Sequence, residues 1–70
     1  MNIYYAITPA FANVTRFVQE GRHDLVYDRI MFITNNHELA AEVSSWSENA
    51  LVGEVYETDE FIVAVIEDDE

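Results

Sequence analysis

Phe61-Ile62-Val63-Ala64-Val65-Ile66 is apolar at every position. Six residues rich in β-branched and aromatic types are the length and composition of a strand. A strand that offers no polar face belongs inside a sheet, because at an edge it invites aggregation. Carboxylates bracket it: Glu60 stands before Phe61, and Glu67-Asp68-Asp69-Glu70 follows Ile66. That is the placement of gatekeepers around an unavoidable hydrophobic strand. The whole chain is therefore expected to be one folded unit around this strand, residues 1–70, with residues 66–70 as an acidic tail.

Working back from that strand, Glu57-Thr58-Asp59-Glu60 has the length of a hairpin connection to a strand over residues 51–56. Before it, Leu39, Val43, Trp46 and Ala50 form one apolar stripe, which predicts a helix over residues 36–48. Asn35 is the expected cap, and Glu38 sits three residues on, as in a capping box. Residues 25–34 read as a strand centred on Ile30-Met31-Phe32-Ile33. Residues 9–20 read as a helix: Thr8-Pro9 starts it, Phe11, Val14, Phe17 and Val18 recur at helical spacing, and Gly21 ends it. Residues 2–7 read as the first strand. The expected fold is α+β, order βαβαββ, a four-stranded mixed sheet with two helices on one face. The expected core includes Phe11, Val14, Ile30, Phe32, Val43, Trp46, Val63 and Val65.

Charge is divided along the chain. Residues 1–35 balance Arg16, Arg22 and Arg29 against Glu20, Asp24 and Asp28; residues 36–70 carry eleven carboxylates and no Lys or Arg. The three arginines are expected to pair internally with acids nearby. The second half thus holds the whole formal charge of −11. Such density costs stability by self-repulsion, and a 70-residue core without cysteine has little stability to spare. About 2–8 net charges usually suffice for the solubility of a small domain. The excess suggests docking on a basic surface. Three arginines and no lysine cannot neutralise many phosphates, so direct nucleic-acid binding is not expected. Neither is an anionic membrane, which would repel the chain. No signal peptide or apolar run of spanning length is visible, and the absence of cysteine suits the cytosol. Dimerisation would add buried area, so monomer and homodimer both stay open.

Chemistry leaves little trace. His23 and His37 are the only histidines, each beside an acid in sequence, where neighbours on a helix face apart. No nucleophile pattern, phosphate loop, calcium loop or dinucleotide fingerprint occurs. No cofactor or metal is expected, and no enzyme.

The acidic surface has two parts. Glu38 and Glu42 fall on one helix face, roughly 6 Å apart along the axis. Glu54, Tyr56 and Thr58 alternate along a strand, with Glu57, Asp59 and Glu60 at the turn. Strand carboxylates two residues apart are about 6.7 Å apart, a spacing that a groove built for phosphates accepts. The expected partner-binding set is Glu38, Glu42, Glu54, Tyr56, Glu57, Asp59 and Glu60, with Tyr56 as an aromatic anchor. Small size, missing lysine and extreme acidity resemble the small acidic inhibitors encoded by phages, anti-CRISPR proteins and other DNA mimics among them. The resemblance is one of type, without an alignable motif. It implies a non-enzymatic inhibitor in the host cytosol that blocks a nucleic-acid-binding enzyme or a CRISPR effector complex. The rival reading is a cytosolic adaptor on an unrelated basic protein.

Overall fold

The computed structural model describes residues 2–68. It is an α+β domain of four strands and two helices in the order ββααββ: β1 (Asn2–Pro9), β2 (Arg16–Gln19), α1 (His23–Thr34), α2 (His37–Ser47), β3 (Val55–Glu57) and β4 (Phe61–Asp68). The sheet order is β2-β1-β4-β3, and all three pairings are antiparallel. β4 lies inside the sheet as its composition requires, paired with β1 from Asn2↔Asp68 to Pro9↔Phe61.

The expected order βαβαββ is corrected over residues 9–34. Thr8 does not cap a helix. Its hydroxyl meets that of Thr15 at 2.8 Å across the β1–β2 pair, and Pro9 stays extended opposite Phe61. Thr15 to Val18 supplies β-branched and aromatic residues that gain more by laddering onto β1 than a helix would gain by itself. Gly21 takes φ +91 in the turn that Arg22 N–H closes onto the Gln19 carbonyl at 3.1 Å. A positive φ there suits glycine, and the chain leaves the strand to start α1. The strand expected over residues 25–34 is helical because Val26 and Ile30 are four apart and both fully buried. A helix also turns Phe32 outward, whereas Met31 and Ile33 pack against the core. With no β-α-β unit left, the parallel pairs expected of a mixed sheet do not arise.

Odd-numbered residues of the central strands face the helices. Tyr5, Ile7, Phe61, Val63 and Val65 are buried with Val18, Val26, Ile30, Ala40 and Val43 in one cluster. Both helices lie on that face, and Phe17, Val55 and Ile62 stay exposed on the other. Of the expected core, Ile30, Val43, Val63 and Val65 are buried and Trp46 is partly so. Phe11, Val14 and Phe32 are 69%, 59% and 71% exposed. Phe11 and Val14 would face a core only from a helix that does not form.

A polar clasp joins the layers. Tyr5 donates its hydroxyl to the Ser47 carbonyl at 2.8 Å. The Ser47 hydroxyl donates to the Ser44 carbonyl at 2.7 Å, which leaves its oxygen to accept from His23 Nδ1 at 2.9 Å. Ser44 donates to the His23 carbonyl at 3.1 Å. The start of α1 is thus fastened to the end of α2, with β1 beneath both.

Candidate functional site

The sheet order turns charge division along the chain into charge division across the molecule. β2, α1 and the turn between them carry the three arginines at one edge; β3, its hairpin and α2 carry most carboxylates at the other. Four strands at about 4.8 Å spacing set the two edge strands roughly 14 Å apart.

At the acidic edge, α2 begins at Asn36, whose side chain accepts from Leu39 N–H at 3.1 Å. The cap is therefore Asn36, one residue beyond the expected Asn35. Asn35 instead ends α1 in the left-handed conformation, φ 53. Glu38 lies in the first turn of α2, where the helix dipole favours an acid. Glu42 is one turn on, exposed, and accepts a hydrogen bond from the Tyr56 hydroxyl.

Tyr56 does not present itself as an aromatic anchor. Its residue pairs with Val63 and shares the helix-facing side of the sheet. The ring lies edge-on to Trp46 at 5.4 Å and stacks on Phe61 at 6.2 Å, 10° from parallel. Its phenol is pushed up to about 12, first by the hydrogen bond to the Glu42 carboxylate, then by burial and that same charge. Tyr56 is the strut that holds α2 over β3, and so it positions Glu42.

Glu54 and Glu57 flank this strut, exposed. The Glu54 carbonyl accepts from Val65 N–H at 3.0 Å, and Glu57 pairs with Ile62, on the open face of the sheet. β3 is confined to three residues, shorter than the strand expected over residues 51–56. Asp59 and Glu60 occupy a pinned turn. Thr58 Oγ1 accepts from Glu60 and Phe61 N–H at 3.1 and 3.3 Å, Thr58 N–H donates to the Phe61 carbonyl, and the Glu60 carbonyl accepts from Ala10 N–H at 2.8 Å. The tail is shorter than expected, since Glu67 and Asp68 belong to β4 opposite Ile3 and Asn2. Asp69 and Glu70 lie outside the described residues.

The expected partner set therefore falls on one edge but on two faces: Glu38 and Glu42 on the helix layer, Glu54, Glu57, Asp59 and Glu60 along the hairpin. The histidines are engaged elsewhere, His23 with Ser47 and His37 Nδ1 with the Tyr27 hydroxyl. Among the described residues no group of three or more His, Cys, Asp or Glu is gathered as a metal site would need.

The opposite edge cannot be found by local pattern, which places residues 9–20 in a helix and residues 25–34 in a strand. Arg16, Phe17 and Val18 of β2 and Leu25, Asp28, Arg29 and Phe32 of α1 line a groove of about 600 Å³. Arg22 pairs with Asp24 at 3.2 Å and holds that carboxyl below its usual range. Arg16 and Arg29 have no ion pair among the described residues. The Arg29 guanidinium lies 4.8 Å from the Phe32 ring centroid, and its buried Nε has no acceptor among the described residues. Among the described residues, the expectation that all three arginines pair internally holds for Arg22 alone.

The chain matches no family model, no curated protein and no solved structure. No helix of the described residues is long and apolar enough to cross a membrane.

Proposed function

We propose that this domain is a non-enzymatic inhibitor that docks its acidic edge on the basic nucleic-acid-binding surface of a host defence complex, in the manner of an anti-CRISPR protein. The observation that carries the reading is the concentration of the whole net charge of −11 in the half of the chain that forms α2, β3 and β4. Several of those carboxylates stand on a capped helix and a pinned hairpin. Charges held in place lose less entropy on binding than charges on a loose segment. Carboxylates gathered at one edge, on the helix layer and along the hairpin, offer a phosphate-binding groove the charge it already recognises. The reading calls for the cytosol of the host cell as the setting, and for no cofactor.

The test begins with capture of partners from a bacterial lysate, read by mass spectrometry, and continues with the captured target. The domain should displace DNA or RNA from that target, with affinity falling steeply between about 0.05 and 0.5 M salt. Glu54→Lys with Glu57→Lys should weaken binding by about 2–5 kcal/mol if these carboxylates sit centrally in the interface. Affinity indifferent to salt would refute the electrostatic reading. A target with no nucleic-acid function would favour the adaptor instead.

A further inference from the structure

The β2 edge combines exposed apolar side chains with backbone groups that no further strand pairs among the described residues. We infer that two copies of this chain pair through it, β2 against β2 antiparallel, about a two-fold axis at Val18. Three observations converge on this partner.

The first is the backbone. Glu20 N–H donates to the Ile3 carbonyl at 2.9 Å, so Glu20, Val18 and Arg16 turn their backbone groups toward β1. By the alternation of an antiparallel ladder, Phe17 and Gln19 turn theirs outward, where the sheet ends. An isologous pairing centred on Val18 sets Phe17 opposite Gln19 of the second copy, and the reverse. The sheet then continues through eight strands.

The second is charge. The same register sets Arg16 opposite Glu20 of the second copy, at a non-hydrogen-bonded position where side chains approach closest. Symmetry makes two such pairs. Neither Arg16 nor Glu20 has an ion pair within its own chain among the described residues. Residues 1–35, which build this edge, balance to zero charge, so two copies can meet here without the repulsion that the acidic halves would impose. Those halves are left at the outer ends.

The third is area. Phe17, Leu25 and Phe32 at the groove are 59%, 38% and 71% exposed, and Phe11 and Val14 in the connection leading into β2 are 69% and 59% exposed. Together they offer on the order of 500 Å² of apolar surface. A stable interface covers about 800 Å² per partner, roughly 65% apolar at homodimer contacts. The groove side chains, together with those of the connection that leads into β2, offer apolar area of that order.

Sedimentation equilibrium and light scattering on the full chain test this directly. The expected mass is twice the 8.1 kDa of the chain. Phe17→Asp should give a monomer that stays folded by circular dichroism, since Phe17 is an exposed side chain. Arg16→Glu alone and Glu20→Arg alone should each raise the dimer dissociation constant at least about tenfold, and the double exchange should restore it. Failure of the double exchange to restore pairing would overturn the register. A monomer at about 100 µM, or an assembly that grows beyond two copies, would overturn the dimer. So would a monomer whose Phe17 and Val18 amide resonances shift on addition of inorganic phosphate, which would make the groove an anion site.

Discussion

Tyr56 is the residue on which the acidic edge depends. It bridges the helix layer and the edge strand through one hydrogen bond and two ring contacts. Its phenol is raised from 10.0 to about 12, so the fold favours the neutral form. Stability from this source is fully present below pH 10 and is lost as pH rises through about 12. Burial raises the Tyr5 phenol as well, so an ultraviolet difference titration should show a late-ionising tyrosine phase that Tyr56→Phe reduces by one tyrosine without removing it. The same substitution should cost about 1–3 kcal/mol, as befits a hydrogen bond to a charged acceptor near the surface. Ile30 is the contrasting case, fully buried where the helix layer meets the sheet. Ile30→Ala should cost about 2–5 kcal/mol in a urea unfolding series, enough to endanger a domain this small. A loss under about 1 kcal/mol would mean that α1 does not bury this side chain.

Among the elements, the joint between the helices is the most informative, and the pair Asn35-Asn36 makes it. The two amides do different work: Asn35 adopts φ 53 to end α1, and Asn36 caps α2. Thr34 adds to the joint by donating to the Ile30 carbonyl and accepting from Asn36 N–H. Asn36→Ala should therefore lower stability by about 1 kcal/mol through the lost cap. Asn35→Gly should be neutral or stabilising, while Asn35→Ala should destabilise, because glycine adopts the left-handed region without strain and alanine does not. Thermal melts of the three variants separate these roles. Equal losses at both positions would show that the amides act as one polar surface.

Across the molecule as a whole, like charges crowd the acidic edge and repel one another. Screening should relieve that repulsion, so melting temperature at neutral pH should rise as salt is added from about 0.05 to 0.5 M. A melting temperature that falls over this range would mean that attractive pairs outweigh the repulsion. Binding to a basic partner has the opposite salt dependence, which makes the two effects separable in one set of titrations.

Much of the fold is legible in the residues. β4 is marked by the unbroken apolar run from Phe61 to Ile66, α2 by its stripe and its first-turn acid, and the acidic hairpin by its length. These segments have one reading, because local pattern and tertiary demand agree. Residues 9–34 are ambiguous. Phe11, Val14, Phe17 and Val18 keep helical spacing, yet two of them lie in a connection and two in a strand. Ile30-Met31-Phe32-Ile33 looks like a strand centre and is a helix. Short apolar runs carry both periods at once, and the choice falls to whatever partner can bury them.

The class of fold, the central place of β4 and the division of charge between the two halves of the chain follow from the residues alone. Composition and position suffice for those, since they need no knowledge of which segment meets which. Tertiary packing was needed to establish that residues 16–19 join β1 as an edge strand and that Tyr56 turns inward to Glu42. It was needed too for the groove that Arg16 and Arg29 line without ion partners among the described residues. Each depends on the side on which a strand or helix finds its neighbour. That is settled by burying Tyr5, Ile7, Val26 and Ile30 together, a contact between segments distant in the chain that no local pattern records.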